Sequence, residues 1–167
     1  FAKLADHSWL ASGASAESDV FTVTATTTQR ALTGLKLEAL TDASFEQKGP
    51  GRADNGNFAL SRIRVVAEPL RGGASREVKL ASAEASHEQN RTSLSVASSL
   101  DEDAKSGWAV DFGGIGNDQA AAFTFAEPVD FEGGAKLTVT LEFAVNTRHT
   151  IGRSRFSIFT DGEPRLK

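Results

Sequence analysis

Alternation of apolar and polar residues along segment 136–145, KLTVTLEFAV, constrains the fold more than any other feature of this sequence. The odd-numbered positions of this segment are all apolar: Leu137, Val139, Leu141, Phe143 and Val145. Successive side chains of a strand point to opposite faces, so a period of two indicates one buried and one solvated face. Such strands bury their apolar face when two antiparallel sheets pack together.

Further segments alternate in a similar way, at positions 20–28, 35–40, 61–67, 76–85, 108–112, 121–126 and 153–160. Turn-forming clusters separate them, among them GPG at 49–51, NGN at 55–57 and several glycine pairs. A long helix has no place in this pattern. The sequence therefore predicts a single domain over 1–167, an all-β antiparallel β-sandwich with jelly-roll topology. Its longest loops, 41–57 and 87–107, are where we expect binding residues.

Composition narrows the class of function. The net charge of −4 argues against general nucleic-acid binding, which relies on neutralising phosphates. The absence of cysteine excludes disulfides and thiolate chemistry. The sequence has no apolar run long enough to span a membrane, and we expect any export signal of the parent protein to lie outside it. Because it begins at Phe1 and has no methionine, we expect a module of a longer protein, with other domains of that protein as partners.

The residues suited to catalysis form no recognisable constellation. The three histidines, His7, His87 and His149, have no metal-ligand spacing and no serine in a nucleophile elbow nearby. Carboxylate pairs such as Asp101 with Asp103 have the chemistry for acid–base hydrolysis, but such pairs are usually solvated turn residues. The sequence favours a protein that is not an enzyme, with a glycan-cleaving enzyme as a rival hypothesis.

The acidic loop 101–106, DEDAKS, offers hard oxygen ligands at alternate positions, which is chemistry suited to calcium. The candidate metal ligands are Asp101, Asp103 and Ser106. Against a metal stands Lys105 within the loop and the lack of the glycine that an EF-hand loop requires. The alternative is an ordinary turn held by aspartate side chains.

Trp108 follows this loop, and Val110 and Phe112 share its parity along the strand. This parity favours a core position for the Trp108 ring. The alternative is a sugar-stacking platform, because the apolar face of a pyranose ring lies well on an aromatic ring.

Two polar loops carry the candidate ligand-binding residues. In GPGRADNGNF, at 49–58, glycines permit close approach, and Arg52, Asp54, Asn55 and Asn57 supply donors and acceptors for hydroxyl groups. In NTRHTIGRSRF, at 146–156, the candidates are His149 and Arg153. The alternatives are self-capped turns and a charged, solvated sheet face.

A further prediction concerns arginine pairs on two strands. Arg153 shares a strand face with Arg155, and Arg62 shares another with Arg64. If both faces lie on one concave side, four guanidinium groups line a groove that favours a sulfated or uronic glycan.

Segment 98–110, SSLDEDAKSGWAV, resembles the loop-to-tryptophan element of discoidin-type, galactose-binding-like domains of the coagulation-factor C-domain type. The wider pattern, with GPGRADNGNF and HTIGR as its most specific parts, resembles a domain of large planctomycete multidomain proteins. The resemblance implies a jelly-roll β-sandwich, an extracytoplasmic location and a carbohydrate-binding role. It also implies structural calcium at Asp101, Asp103 and Ser106, although Glu102 stands where that family usually has glycine.

These observations together predict a non-catalytic carbohydrate-binding module that targets a parent protein to a polysaccharide, including one that is anionic. A protein-interaction or spacer domain of a large extracytoplasmic protein is the alternative.

Overall fold

A computed structural model describes residues 1–161 and 166, and it confirms the predicted all-β fold. The strands are β1 (Ala2–Lys3), β2 (Trp9–Leu10), β3 (Asp19–Thr27), β4 (Leu32–Ala39), β5 (Ala59–Leu60), β6 (Arg62–Pro69), β7 (Arg76–Glu77), β8 (Leu80–Ala85), β9 (Trp108–Ala109), β10 (Gln119–Val129), β11 (Ala135–Phe143) and β12 (Arg153–Phe159). Within this part of the chain the only helical segments are short 3-10 turns at Glu46–Lys48 and Val96–Leu100. None of its helices is long and apolar enough to cross a membrane.

Two antiparallel sheets make up the sandwich. The larger sheet has the strand order β1-β2-β12-β4-β10-β8, and the smaller has the order β3-β11-β6-β7. A separate two-stranded ribbon joins β5 to β9. This strand order is compatible with a jelly roll, and the jelly-roll topology itself stays a prediction.

The strand with the clearest alternation, β11, lies at the centre of the smaller sheet. It pairs with β3 on one side and β6 on the other, and every odd-numbered residue of Ala135–Phe143 is buried. The predicted inward positions of β6 are also buried, with Ile63, Val65 and Ala67 facing the core. Each of these strands has one face on the core between the sheets and one face in solvent, which explains why the period of two is clearest here.

Segment 76–85, which we predict as one strand, is divided between the two sheets. Its first part, β7, pairs with β6, whereas β8 pairs with β10 of the opposite sheet. The crossing point is Val78, which is 3% exposed and donates from its backbone N–H to the Val65 carbonyl. The chain changes sheet within two residues. A strand that bends at the corner of a sandwich can pair with one sheet before the bend and with the other sheet after it.

Trp108 is fully buried, so the core prediction is confirmed and the stacking-platform alternative is wrong. Its ring meets Phe58 edge to face with a centroid distance of 4.8 Å, and its Nε1–H donates to the His87 carbonyl at 2.9 Å. The shared parity with Phe112 breaks because pairing in this ribbon ends at Ala109 and Phe112 adopts a positive φ of 59°. Phe112 therefore turns outward.

The loops that hold the candidate residues converge at one end of the sandwich. The register places Ala39 of β4 opposite both Gln119 of β10 and Ser154 of β12. The loops that follow β4, precede β10 and precede β12 consequently emerge at the same edge. We call this edge the loop end.

Candidate functional site

Two of the predicted binding loops are joined at the loop end by backbone hydrogen bonds. Gly51 and Ile151 form an antiparallel bridge, and the Arg52 N–H donates to the Thr150 carbonyl at 2.9 Å. The Ala59 N–H donates to the His149 carbonyl at 2.9 Å. Loops 49–58 and 146–152 therefore form one continuous surface, as a shared binding site requires.

Arg52, Asp54, Asn55 and His149 all lie on these joined loops. The Arg52 guanidinium donates to the Gly13 carbonyl, and His149 Nδ1 donates to the Thr147 carbonyl at 2.7 Å. Asp54 is exposed, whereas Asn55 is half-buried. These four residues remain accessible candidates, although Arg52 and His149 each already engage a backbone carbonyl.

Asn57, in contrast, is buried and engaged in internal hydrogen bonds, so the structure gives no support to its predicted contact with a ligand. Its side chain is buried, with 3% of the residue exposed. Its Oδ1 accepts from the Val110 N–H at 3.0 Å, and its Nδ2 donates to Gln89 Oε1 at 3.1 Å. Asn57 ties loop 49–58 to the chain that leaves β9, so its role is structural.

Arg153 is also committed to internal contacts. Its guanidinium donates to Ser8 Oγ at 2.8 Å and to Asp6 Oδ2 at 2.7 Å, and it lies 3.6 Å from Asp42 Oδ2. The pKa of Asp6 is lowered to about 2, first because Ser8 donates from its hydroxyl and its N–H, and then because Arg153 lies beside it. Arg153 thus ties the chain between β1 and β2 to β12 within the larger sheet, and its predicted contact with a ligand stays a prediction.

The predicted groove of four guanidinium groups does not form. Arg153 and Arg155 point outward from the larger sheet, because Phe156 on the opposite face packs against the core. Arg62 and Arg64 point outward from the smaller sheet, whose inner face carries Ile63 and Val65. The core separates the two pairs, so they lie on opposite sides of the sandwich.

Phe112 lies at the loop end and is exposed, although its place in the alternating pattern predicts that it faces the core. It is 80% exposed, the largest exposure among the exposed large apolar residues. A non-glycine residue with positive φ is uncommon, and a bulky one is strained. The signal in the sequence is the following glycine pair, Gly113–Gly114, which marks the point where the strand pattern stops.

Three polar contacts hold Phe112 in this conformation. Asp111 Oδ1 accepts from the Phe112 N–H at 2.7 Å, and Asp111 Oδ2 accepts from Asn55 Nδ2 at 3.2 Å. His87 Nε2 lies 3.2 Å from the Asp111 carbonyl, which can only accept, so this nitrogen donates. A side chain at Gly114 would collide with the Val110 carbonyl, so only glycine lets the chain turn here. The ring is thus presented to solvent by a fixed frame that Asn55 joins through Asp111.

The acidic loop has the geometry of a hydrogen-bonded turn. Ser106 Oγ lies 2.8 Å from Asp101 Oδ1 and 2.9 Å from Oδ2, and Asp101 Oδ1 also accepts from the Asp103 N–H. Asp103 Oδ1 accepts from the Lys105 N–H at 2.9 Å. Among residues 1–161 and 166, no three acidic or histidine side chains form a group that would hold a metal. As arranged, these residues do not fit a calcium ion, which takes six to eight oxygen ligands.

We expect thermal stability to be the same with and without a chelator. The turn needs no cation because Ser106 and backbone N–H groups already satisfy Asp101 and Asp103. Thermal melts in excess EDTA and in millimolar calcium check this. A melting temperature that falls in EDTA and recovers with calcium would restore the calcium hypothesis.

Away from the loop end, an apolar cleft of about 650 Å³ lies between the edges of the two sheets. It lies between β3 and the later part of β12, and its lining includes Val23, Leu137, Phe156 and Ile158. β12 pairs with β2 only at Arg153 and Ser154, so in the described chain no strand covers this side further along. The cleft shares no lining residue with the loop end.

Comparison with known proteins identifies no relative of this chain: no family model matches it, and neither does a curated protein or a solved structure. The resemblance to galactose-binding-like domains therefore stays a prediction. What is established is an all-β antiparallel sandwich that presents an exposed aromatic ring among polar loops.

Proposed function

We propose that this protein is a non-catalytic carbohydrate-binding module that targets an extracytoplasmic parent protein to a polysaccharide. The observation that carries the proposal is Phe112, a phenylalanine that is 80% exposed and held at φ 59°. Strained residues persist where the surrounding structure over-determines them, and they concentrate at ligand-binding positions. An exposed ring at a polar loop end suits the apolar face of a pyranose.

Polar groups on the joined loops supply the second element of saccharide recognition. Asp54 is exposed and offers acceptor oxygens for sugar hydroxyl groups, and Asn55 lies next to it in the same loop. Arg52 and His149 follow on the joined loops. A flat ring and polar loops at one end of the sandwich suit a short stretch of polysaccharide on a shallow surface, with affinities of about 4–8 kcal/mol.

Four carboxyl groups are unsuited to the role of a glycosidase general acid, because hydrogen bonds lower their pKa values. Hydrogen bonds from Ser8, Arg155, Ser44 and Arg30 lower the pKa values of Asp6, Glu38, Asp42 and Asp130, respectively. A glycosidase acid needs a raised pKa so that it carries a proton near neutral pH.

We expect Phe112→Ala to weaken polysaccharide binding about tenfold, because the variant loses the stacking surface. The melting temperature should not fall, since a ring that is 80% exposed contributes little packing. Affinity electrophoresis through gels that contain neutral or anionic polysaccharides measures the effect.

Phe1→Ala is the matched control, since Phe1 is also exposed, at 63%, but packs on Phe21 instead of standing in the loop end. This variant should bind like the wild type, and Phe112→Trp should retain binding. If Phe112→Ala binds a retained polysaccharide as tightly as the wild type does, the ring is not the platform.

A protein-interaction module is the second candidate function, and the apolar cleft favours it. β3 pairs only with β11 among the described strands, which leaves its outer edge beside the cleft available to an extended segment. A polar substitution in the cleft, Ile158→Asp, should abolish capture of a partner domain if this function is correct. The same variant should leave polysaccharide binding unchanged.

A further inference from the structure

A charged groove opens on the outer face of the smaller sheet where β6 begins. Its volume is about 340 Å³, and its charged lining consists of Arg62, Arg64, Glu77, Lys79, Asp101 and Glu102. Arg62 and Arg64 are two positions apart on one strand, so both guanidinium groups rise from the same face. Lys79 forms no ion pair with any residue that the structure describes, and it is exposed.

Glu102 closes this groove with its carboxylate. Glu102 Oε2 lies 2.7 Å from an Arg62 guanidinium nitrogen and 4.0 Å from one of Arg64. The Glu102 side chain is 82% exposed, whereas that of Arg62 is 20% exposed. One solvent-facing carboxylate thus meets two guanidinium groups on the same strand.

The acidic loop keeps its shape without the Glu102 side chain. Its internal hydrogen bonds join Asp101, Asp103 and Ser106 and do not involve the Glu102 carboxylate. The contact between Glu102 and the arginines is therefore not required for the turn. An exposed ion pair of this kind contributes little stability, so another anion can replace it at small cost.

We propose that Arg62, Arg64 and Lys79 bind the sulfate or carboxylate groups of an anionic polysaccharide, and that Glu102 occupies this site in the free protein. Guanidinium groups suit this role because their planar donors match carboxylate and sulfate oxygens in pairs. Arg64 is held from its other side by Glu142, with Arg64 Nε 4.0 Å from Glu142 Oε1. Lys79 supplies a third positive charge, and Glu77 and Asp101 are the other charged residues of the lining.

The assignment of the anion to a polysaccharide rests on the proposed function, whereas the anion site itself rests on the groove. The groove and the Phe112 surface carry different residues, so a long polysaccharide chain that reaches both would be selected by its negative charges as well as by its ring faces. Binding at the groove should weaken as salt concentration rises, because the site is exposed and charged.

The test compares Glu102→Gln and the double variant Arg62→Ala/Arg64→Ala with the wild type. The probes are heparin, polygalacturonate, neutral dextran and poly-glutamate, each measured by affinity electrophoresis or calorimetry at low and high salt. Removing the competing carboxylate should tighten binding to heparin and polygalacturonate by about two- to fivefold. The double variant should weaken both by about tenfold or more.

Glu132→Gln is the matched control, because it removes one negative charge from an exposed ion pair, Arg71–Glu132 at 2.7 Å, away from the groove. It should bind every probe like the wild type. The proposal is overturned if Glu102→Gln binds the anionic polysaccharides no more tightly than Glu132→Gln does. It is also overturned if the wild type binds poly-glutamate more tightly than it binds heparin and polygalacturonate. Phe112→Ala separates the two proposals: if it loses no binding while Glu102→Gln gains it, the platform fails and the anion site stands.

Discussion

Trp108→Ala should lower the free energy of unfolding by about 3–5 kcal/mol, the usual cost of removing a large aromatic side chain from a core. Trp108 is fully buried and packs edge to face on Phe58. The substitution removes that packing and also leaves the His87 carbonyl without its Nε1–H donor. Because domains of this size are stable by only about 5–15 kcal/mol, this loss is a large fraction of the total stability.

Urea denaturation followed by circular dichroism measures the loss, and Trp9→Ala is the control. Trp9 is the other tryptophan of the chain, is 36% exposed, and meets Lys3 with the Nζ atom 5.8 Å from the ring centroid. Its replacement should cost less than about 1 kcal/mol, as surface changes usually do. Equal losses for the two variants would contradict the core position of Trp108.

Asn57→Ala should cost about 2–4 kcal/mol, although the change removes only a small polar group. The Val110 N–H would be left buried without its acceptor, and Gln89 would lose a donor. An unsatisfied buried group costs about 1–3 kcal/mol, and the cavity that remains adds to this. A residue so placed affects binding only through the shape of loop 49–58.

Asp54→Ala is the matched comparison, because Asp54 lies in the same loop but is exposed. It should change the free energy of unfolding by less than about 0.5 kcal/mol and should weaken saccharide binding. Thermal melts and gel retardation of both variants separate the two roles. If Asn57→Ala kept full stability and lost binding, Asn57 would contact the ligand after all.

The strands were predictable because their signal is local. The alternation of 136–145 requires only that β11 face a core on one side, and the burial of Leu137, Val139 and Leu141 confirms it. Short strands such as β1, β2 and β5 have two residues each, too few to show any period. Their existence depends on partners elsewhere in the chain.

The loop end was predictable only in part. Glycine, asparagine and aspartate in 49–58 indicate an irregular loop, and the structure places Asn55 beside Phe112 through Asp111. The alternating pattern predicts that the Phe112 side chain faces the core, but the positive φ of this residue turns the side chain outward. A single backbone dihedral is invisible to periodicity, because periodicity assumes that the strand continues.

The order of residues along the chain was enough to determine an all-β sandwich, because the alternation of apolar and polar side chains identifies the face that each strand buries. Which partner each charged side chain meets was decided only by the tertiary structure. Arg153 pairs with Asp6, 147 positions away, and Arg62 pairs with Glu102 of the acidic loop. No local pattern in the sequence predicts either ion pair. Hydrophobic burial acts on every strand alike, whereas an ion pair or hydrogen bond acts over a few ångströms between particular atoms, which chain folding alone brings together.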